Sequence, residues 1–400
     1  MKSISAWQIF WVFLRLGCTS FGGPAAHLVF FHQLFIQKKQ WLSEAEYARI
    51  LALAQLLPGP TSSQAGIGIG YLIKGYSGAF AAWLGFSLPS ALLMAMAAIA
   101  GQQYFQLLNS QSFHLIQLIV LAVICHAFWQ MFQSFCSAFW QKLLMFCIAV
   151  LTLYFPISGA HIVLLSIAGL IGYFFECYRK RNICNTLPAP AESSMARQQI
   201  TQSLFWFSLF LLPFIFFAAL PSSMHGAWQN AFQFYQSASM VFGGGHVVLP
   251  LMYQDFVLSQ QISAENFNAG YALAQLMPGP LFSFASYIGA FLEISPWPWL
   301  NAFIATAAIF LPSFLLMFAA MPCWSWLMQQ QALRAAVTGM NAAVAGLLFA
   351  MILHMGHDYL LQFSDLCFVI ALLCLLRTKL PIWLILIGGF MGYSTLFNLL

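Results

Sequence analysis

The sequence predicts an all-α polytopic membrane protein built from two inverted-topology repeats, with broken or re-entrant helices at Pro-Gly-Pro and Phe-Gly-Gly motifs. An apolar composition, an internal duplication and a reversal of positive charge between the two copies predict it. The chain is 400 residues long, 62% hydrophobic and 6% charged, whereas a soluble domain carries about 25% charged residues. So few charges cannot cover a surface facing water, and lipid must be the main solvent. With spans of about 20 residues, the apolar length suffices for about ten crossings or their equivalent.

The duplication is visible as ordered matches. Residues 52–60, Ala-Leu-Ala-Gln-Leu-Leu-Pro-Gly-Pro, return at 272–280 with one change, Met277 for Leu57. Trp7-Gln8 returns as Trp228-Gln229, Phe21-Gly22-Gly23 as Phe242-Gly243-Gly244, and Leu88-Pro89-Ser90 as Leu311-Pro312-Ser313. The matches keep their order at nearly constant spacing, so residues 1–177 and 226–400 read as copies of one unit. Residues 178–225 read as a cytoplasmic linker plus one further transmembrane helix.

Lysine and arginine near membrane segments mark the cytoplasmic side. In the first copy they occupy the loops at Lys38-Lys39, Lys74, Lys142 and Arg179-Lys180-Arg181, while 102–112 and 156–160 have none. In the second copy the loops matching the positive ones, at 259–263, 293–298 and 356–361, lack both residues. Those matching the empty ones carry Arg334, Arg377 and Lys379. The second copy is therefore expected upside down. If each copy crosses an even number of times, the apolar stretch 201–220 is the odd crossing that inverts it, and 178–200, with Pro188 and Pro190, is the loop before it. Inverted repeats characterise secondary transporters, which hold substrate near mid-membrane between the copies.

In chain order, 5–21 and 24–37 read as helical pieces joined at Phe21-Gly22-Gly23-Pro24, the first a retained membrane segment with no cleavage site. Residues 44–57 and 60–73 read as two more, joined at Pro58-Gly59-Pro60. Fourteen residues reach only about 21 Å at about 1.5 Å each, against a hydrocarbon core of about 30 Å. Lys38-Lys39 and Lys74 flank the second pair on one side, which predicts a re-entrant hairpin. Full spans are expected at about 75–101, 113–135, 137–155 and 159–177. Ser43 is placed as a helix cap with Glu46 completing a capping box, and Arg49, one turn on, is placed to pair with Glu46.

Interrupted backbone survives at membrane depth only where it is buried in protein or lines a wet cavity. Pro60 suits the first position of a new helix, whose unpaired amides, with the Thr61, Ser62 and Ser63 hydroxyls, form a ready anion site. A proline break alone is commonplace in membrane helices; its recurrence at Pro278-Gly279-Pro280 favours a site. Gly22-Gly23-Pro24 and Gly243-Gly244, each following its phenylalanine, either converge amides on an anion or let helices pack closely. Arg15, in an apolar stretch, either offsets a dianion's charge or snorkels to the interface; Gln236 replaces it in the second copy. Gln55, Gln275 and Asn341 either orient an oxyanion or join helices. His27 and His246 are candidates for proton coupling, or simply pack. Nine scattered cysteines without a CxxC pair suggest neither zinc nor a disulfide framework.

The run Ser20-Phe21-Gly22-Gly23-Pro24-Ala25-Ala26-His27, then Trp41-Leu42 and Glu44, Gln55 through Thr61, and Gly85 through Ser90 closely resembles the chromate ion transporter family, two-repeat type. The second set at 242–317 resembles the family's C-terminal half. The resemblance implies a bacterial inner-membrane exporter of chromate, driven by the membrane potential or a proton gradient and related to sulfate handling. Chromate, sulfate as competitor or exchanged ion, the bilayer and a second copy of the chain are the expected partners, with no nucleic acid, metal or cofactor. Lys38-Lys39 where arginine is usual and Leu281 in place of threonine depart from the pattern, so the resemblance does not imply symmetric use of the two half-sites. Transport of another tetrahedral oxyanion is the alternative. A chromate reductase would need a redox cofactor, for which the sequence has no fingerprint.

Overall fold

The computed structural model describes residues 4–104, 110–155, 160–181, 197–219, 226–242, 245–378 and 380–397. Gly243, Gly244, Lys379 and most of the 178–200 linker, including Pro188 and Pro190, lie outside the described residues. No strand occurs among the described residues, and five helices there are long and apolar enough to cross a membrane.

The first copy opens with α1 (Ala6–Thr19) and α2 (Gly23–Phe31), the latter running into a π-helical stretch, His32–Lys38. Gly22 and Gly23 sit at φ +100° and +77°, and the chain folds back there. The return is visible in the packing: Phe13, before the break, stacks 5.0 Å from Phe35 and lies 5.5 Å from Phe31, both after it. α3 (Glu44–Leu56) starts at the Ser43–Glu46 capping box that the sequence predicts. Arg49 does not pair with Glu46; it lies over the Trp324 ring at 4.0 Å, because the Glu46 carboxylate is already held by the Ser43 amide and hydroxyl.

α4 (Thr61–Tyr104) is two helices joined at a kink, with Lys74 and Gly75 outside helical geometry. Gly70 and Gly78 abut across that point, which a continuous helix forbids because eight residues span about 12 Å. The arm 61–73 lies back on α3: a methyl placed on Gly68 would meet Ile50 at 2.8 Å. α3 and this arm are therefore a hairpin with Pro58-Gly59-Pro60 at its tip. The hairpin begins and ends on the Lys38–Lys74 side. The second arm of α4, α5 (Ser110–Phe135), α6 (Phe139–Tyr154) and α7 (Ala160–Arg181) complete the copy.

α8 (Arg197–Ala219) is tied to both copies: Gln202 donates to the Tyr76 hydroxyl at 2.9 Å, and the Tyr235 hydroxyl donates to the Phe210 carbonyl at 2.7 Å.

The second copy repeats the plan with α9 (Trp228–Met240), a 3₁₀ turn at Gly245–Val247, α10 (Val248–Met252), a π-helical stretch at Tyr253–Val257, and α11 (Ala264–Leu276). After the second Pro-Gly-Pro come a 3₁₀ turn at Leu281–Ser283, α12 (Phe284–Phe291) and α13 (Pro298–Ala320). Then follow α14 (Trp324–Gln329), α15 (Gln331–Tyr359), α16 (Phe363–Leu376) and α17 (Ile382–Phe397). Phe234 and Phe256 meet at 4.6 Å as Phe13 and Phe35 do. Even the backbone strain is duplicated: Gln40 and Gln260, at φ +50° and +60°, are the only non-glycine residues with positive φ among the described residues.

The relative orientation of the copies follows from α5 and α16. His114, near the start of α5, lies 3.3 Å from Asp365 near the start of α16. Trp129, late in α5, lies beneath Arg377 just after α16, at 5.3 Å. The two helices are parallel. The counterpart of α16 is α6, which leaves α5 through a short connection and returns, with Lys142 near its start over the Phe132 ring near the end of α5. Helices in matching positions thus run in opposite directions, and the copies are inverted.

Candidate functional site

Inversion brings the tips of the Pro-Gly-Pro hairpins together, and each tip docks on the opposite copy. The Gly59 amide donates to the Val241 carbonyl at 2.6 Å, and the Gly279 amide donates to the Ser20 carbonyl at 2.9 Å. Val241 and Ser20 immediately precede the Phe-Gly-Gly breaks. The exchange is reciprocal, as a two-fold relation demands. Gly59 and Gly279, at φ +128° and +100°, make the tight turns that expose these amides. Since both amides are already bonded to protein, the donors left free at the tips are the ones beyond them. These are the first-turn amides of the arm starting at Thr61, which have no carbonyl a turn earlier in their helix, and the nearby hydroxyls.

The sequence reading did not assign the serines of the duplicated Leu-Pro-Ser motif to the site. A side chain built on Gly59 would meet Ser313 Oγ at 2.6 Å, and one on Gly279 would meet Ser90 Oγ at 2.9 Å. Each serine comes from the opposite copy, so the motif's duplication was the available signal. Ser90 Oγ and Ser283 Oγ lie 2.6 Å apart. The equivalent pair on the other side, Ser313 and Ser63, is buried with both hydroxyls unpartnered. Gln64 is fully buried, donates to the Pro58 carbonyl at 2.6 Å, and leaves its own oxygen unpartnered. Unsatisfied buried polar atoms are costly and mark where a ligand or water belongs.

The remaining residues divide. Pro58, Pro60, Thr61 and Ser62 lie at the first tip, with Thr61 and Ser62 buried; Pro278 and Pro280 lie at the second. Pro24 approaches Gly245 at their mutual contact, with Leu281 alongside. His27 is buried, donates to the Ser20 carbonyl at 3.2 Å and packs edge-on to Phe86, so it braces the same carbonyl that receives the Gly279 amide. His246 Nδ1 lies 2.9 Å from the Tyr271 hydroxyl. Gln55 is exposed, whereas the Gln275 amide nitrogen and the Asn341 oxygen are buried without partners. Arg15 shares the exposed face of α1 with Trp7 and Trp11, away from the face where Gly17 meets the Gly85–Phe86 backbone. It does not face the tips.

The half-sites differ in closure. Phe242 is sealed with Leu56 and Val337 in a small apolar cluster beside Leu333 and Met340. Its counterpart Phe21 is 42% exposed, against 7% for Phe242.

The sequence model of a family described as chromate transporter matches residues 7–173 and 228–393, one match per copy. An uncharacterized transporter of Methanocaldococcus jannaschii is 24% identical over 98% of this chain and 95% of its own length. A chromate transport protein of Cupriavidus metallidurans is 27% identical over 85% of this chain and 80% of its own. A probable chromate transport protein of Synechococcus elongatus is 26% identical over 94% and 91%. No solved structure matches.

Proposed function

The chain belongs to the chromate transporter family, and we propose that it exports chromate across the inner membrane, conferring resistance, with sulfate as competitor or exchanged anion. The observation that carries this reading is the reciprocal docking of the Pro-Gly-Pro tips on the opposite copy's Phe-Gly-Gly breaks. It gathers helix starts, hydroxyls and amides at the meeting point of two inverted units, and leaves buried polar atoms there in need of a partner. A tetrahedral dianion suits these donors, because helix starts and hydroxyls bind oxygen anions without a fixed countercharge. Chromate and sulfate share shape and charge, so such a site separates them poorly. The unequal closure at Phe242 and Phe21 suits alternating access, in which each end opens in turn.

Radiolabelled chromate flux in proteoliposomes with imposed pH and potential tests this. Saturable flux that sulfate inhibits and phosphate inhibits less is the expected outcome. Absence of chromate flux under every gradient, with sulfate or molybdate carried instead, would reassign the substrate.

A further inference from the structure

Away from the tips, two acids are buried among the described residues: Asp365 at 1% exposure and Asp255 at 3%. Asp365 is accounted for as a helix cap, since one carboxylate oxygen accepts the amides of Leu361 and Gln362. Asp255 caps nothing. It sits in the π-helical stretch Tyr253–Val257, an irregularity common at functional positions. One carboxylate oxygen accepts the Ser237 hydroxyl at 2.9 Å, and the other faces His161 Nε2 at 3.8 Å. His161 is 1% exposed, neither of its ring nitrogens completes a hydrogen bond, and the Gln254 side chain lies beside it.

The other groups around this pair leave it uncompensated. The Ser259 hydroxyl bonds the Asp255 carbonyl oxygen and not the carboxylate. From α15, His354 packs edge-on to Tyr253 and pairs with Asp358, and from α11 Glu265 is exposed. No lysine or arginine is buried among the described residues. Without a proton the Asp255–His161 pair therefore holds a bare negative charge in a buried setting; with one proton it is neutral. Ionisable groups placed this way inside membrane segments are expensive and mark ion or proton pathways.

Location ties the pair to the site. Ser237 lies on α9 just before the break, and Asp255 lies on the returning arm of the same hairpin. The Ser237–Asp255 bond thus spans the two arms whose tip includes Val241, the acceptor of the Gly59 amide. His161, at the start of α7, comes from the other copy.

Resting on the transport reading above, we propose that Asp255, with His161 and Ser237, is a proton-binding site that links a proton to anion movement. The proton passes from water to the Asp255–His161 pair and leaves from it; no bond other than to that proton is made or broken. Neutralising the pair weakens the Ser237–Asp255 bond that joins the hairpin arms, and a bare charge on the same hairpin disfavours a dianion at its tip.

The test separates exchange from gradient-driven transport in proteoliposomes, using chromate. Asp255→Asn is expected to keep exchange of labelled for unlabelled chromate within about threefold of the original while losing pH-gradient-driven accumulation by about tenfold or more. Gradient-driven accumulation at the original level in Asp255→Asn overturns the proposal. Equal loss of both modes in a variant that elutes as the folded protein assigns Asp255 to structure and also overturns it. Should Asp255→Asn not fold, Ser237→Ala decides: removing a hydroxyl that favours the ionised carboxylate moves the pH midpoint of gradient-driven flux upward by about one unit, and an unmoved midpoint overturns the proposal. Failure of the original protein to move chromate in either mode counts instead against the transport reading.

Discussion

At Gly59 a side chain has nowhere to go. The backbone is in the left-handed region at φ +128°, and a methyl group would press on Gln64 Nε2 and Ser313 Oγ, both at 2.6 Å. Left-handed backbone alone costs a non-glycine residue about 1–2 kcal/mol, and the crowding adds to it. Gly59→Ala is therefore expected to cut chromate flux by about tenfold or more, because the turn that offers its amide to Val241 cannot hold its shape. Gly226 supplies the control: its φ is also positive, at +50°, but nothing lies within 4 Å of a side chain there. Gly226→Asn should transport normally, since asparagine accepts a φ of this size; loss of flux in both variants would show that the tip is not special. The tip residues were legible in the sequence because duplication singled them out. Ser90 and Ser313 were not, although equally duplicated, because a proline followed by serine inside an apolar helix reads locally as a kink. Only docking of one copy on the other brings them to turns far away in sequence, as Ser90 shows by meeting Ser283, 193 positions on. Asp255 and His161 escaped notice for the same reason, coming from different copies.

Helices here pack through small residues, as expected where lipid removes the hydrophobic drive for association. One close approach joins α7 and α15: a methyl on Gly172 would meet the Ala335 carbonyl at 2.5 Å and the Gly339 backbone at 2.9 Å, and one on Gly339 would strike the Ala168 carbonyl. Gly172→Leu or Gly339→Leu should lower thermal stability in detergent by about 1–3 kcal/mol, the usual cost of overpacking. Gly388→Leu on α17 is the comparison, because no atom lies within 4 Å of its side-chain direction; a comparable loss there would remove the packing explanation. Element positions were largely readable beforehand. α5 (Ser110–Phe135), α6 (Phe139–Tyr154) and α8 (Arg197–Ala219) fall within a few residues of the apolar stretches that predict them, because span length and apolarity are local properties. The fold-back of α1 on α2 was less legible. Neither Gly22 nor Gly23 announces its direction, and the contact that reveals it, Phe13 on Phe35, is tertiary.

For the whole molecule the decisive property is the antiparallel relation of the copies. A two-fold axis along the membrane normal would exchange the tips just as reciprocally as one in the membrane plane, so the Gly59–Val241 and Gly279–Ser20 bonds alone do not choose between them. The parallel course of α5 and α16, set by His114–Asp365 at one end and Trp129–Arg377 at the other, chooses the in-plane axis. Charge agrees, since Lys38 and Lys39 precede Gln40 while no lysine or arginine flanks its counterpart Gln260 within 258–263. Gln40 and Gln260 are exposed and share the same left-handed backbone, so cysteine placed at either meets the same local chemistry and differs only in the side of the membrane it faces. In a variant whose native cysteines are replaced, Gln40→Cys should react with an impermeant maleimide only when the cytoplasmic face is accessible, and Gln260→Cys only from outside intact cells. Labelling of both from one side would mean that the copies point the same way, and the shared site between inverted hairpins would have to be abandoned with them.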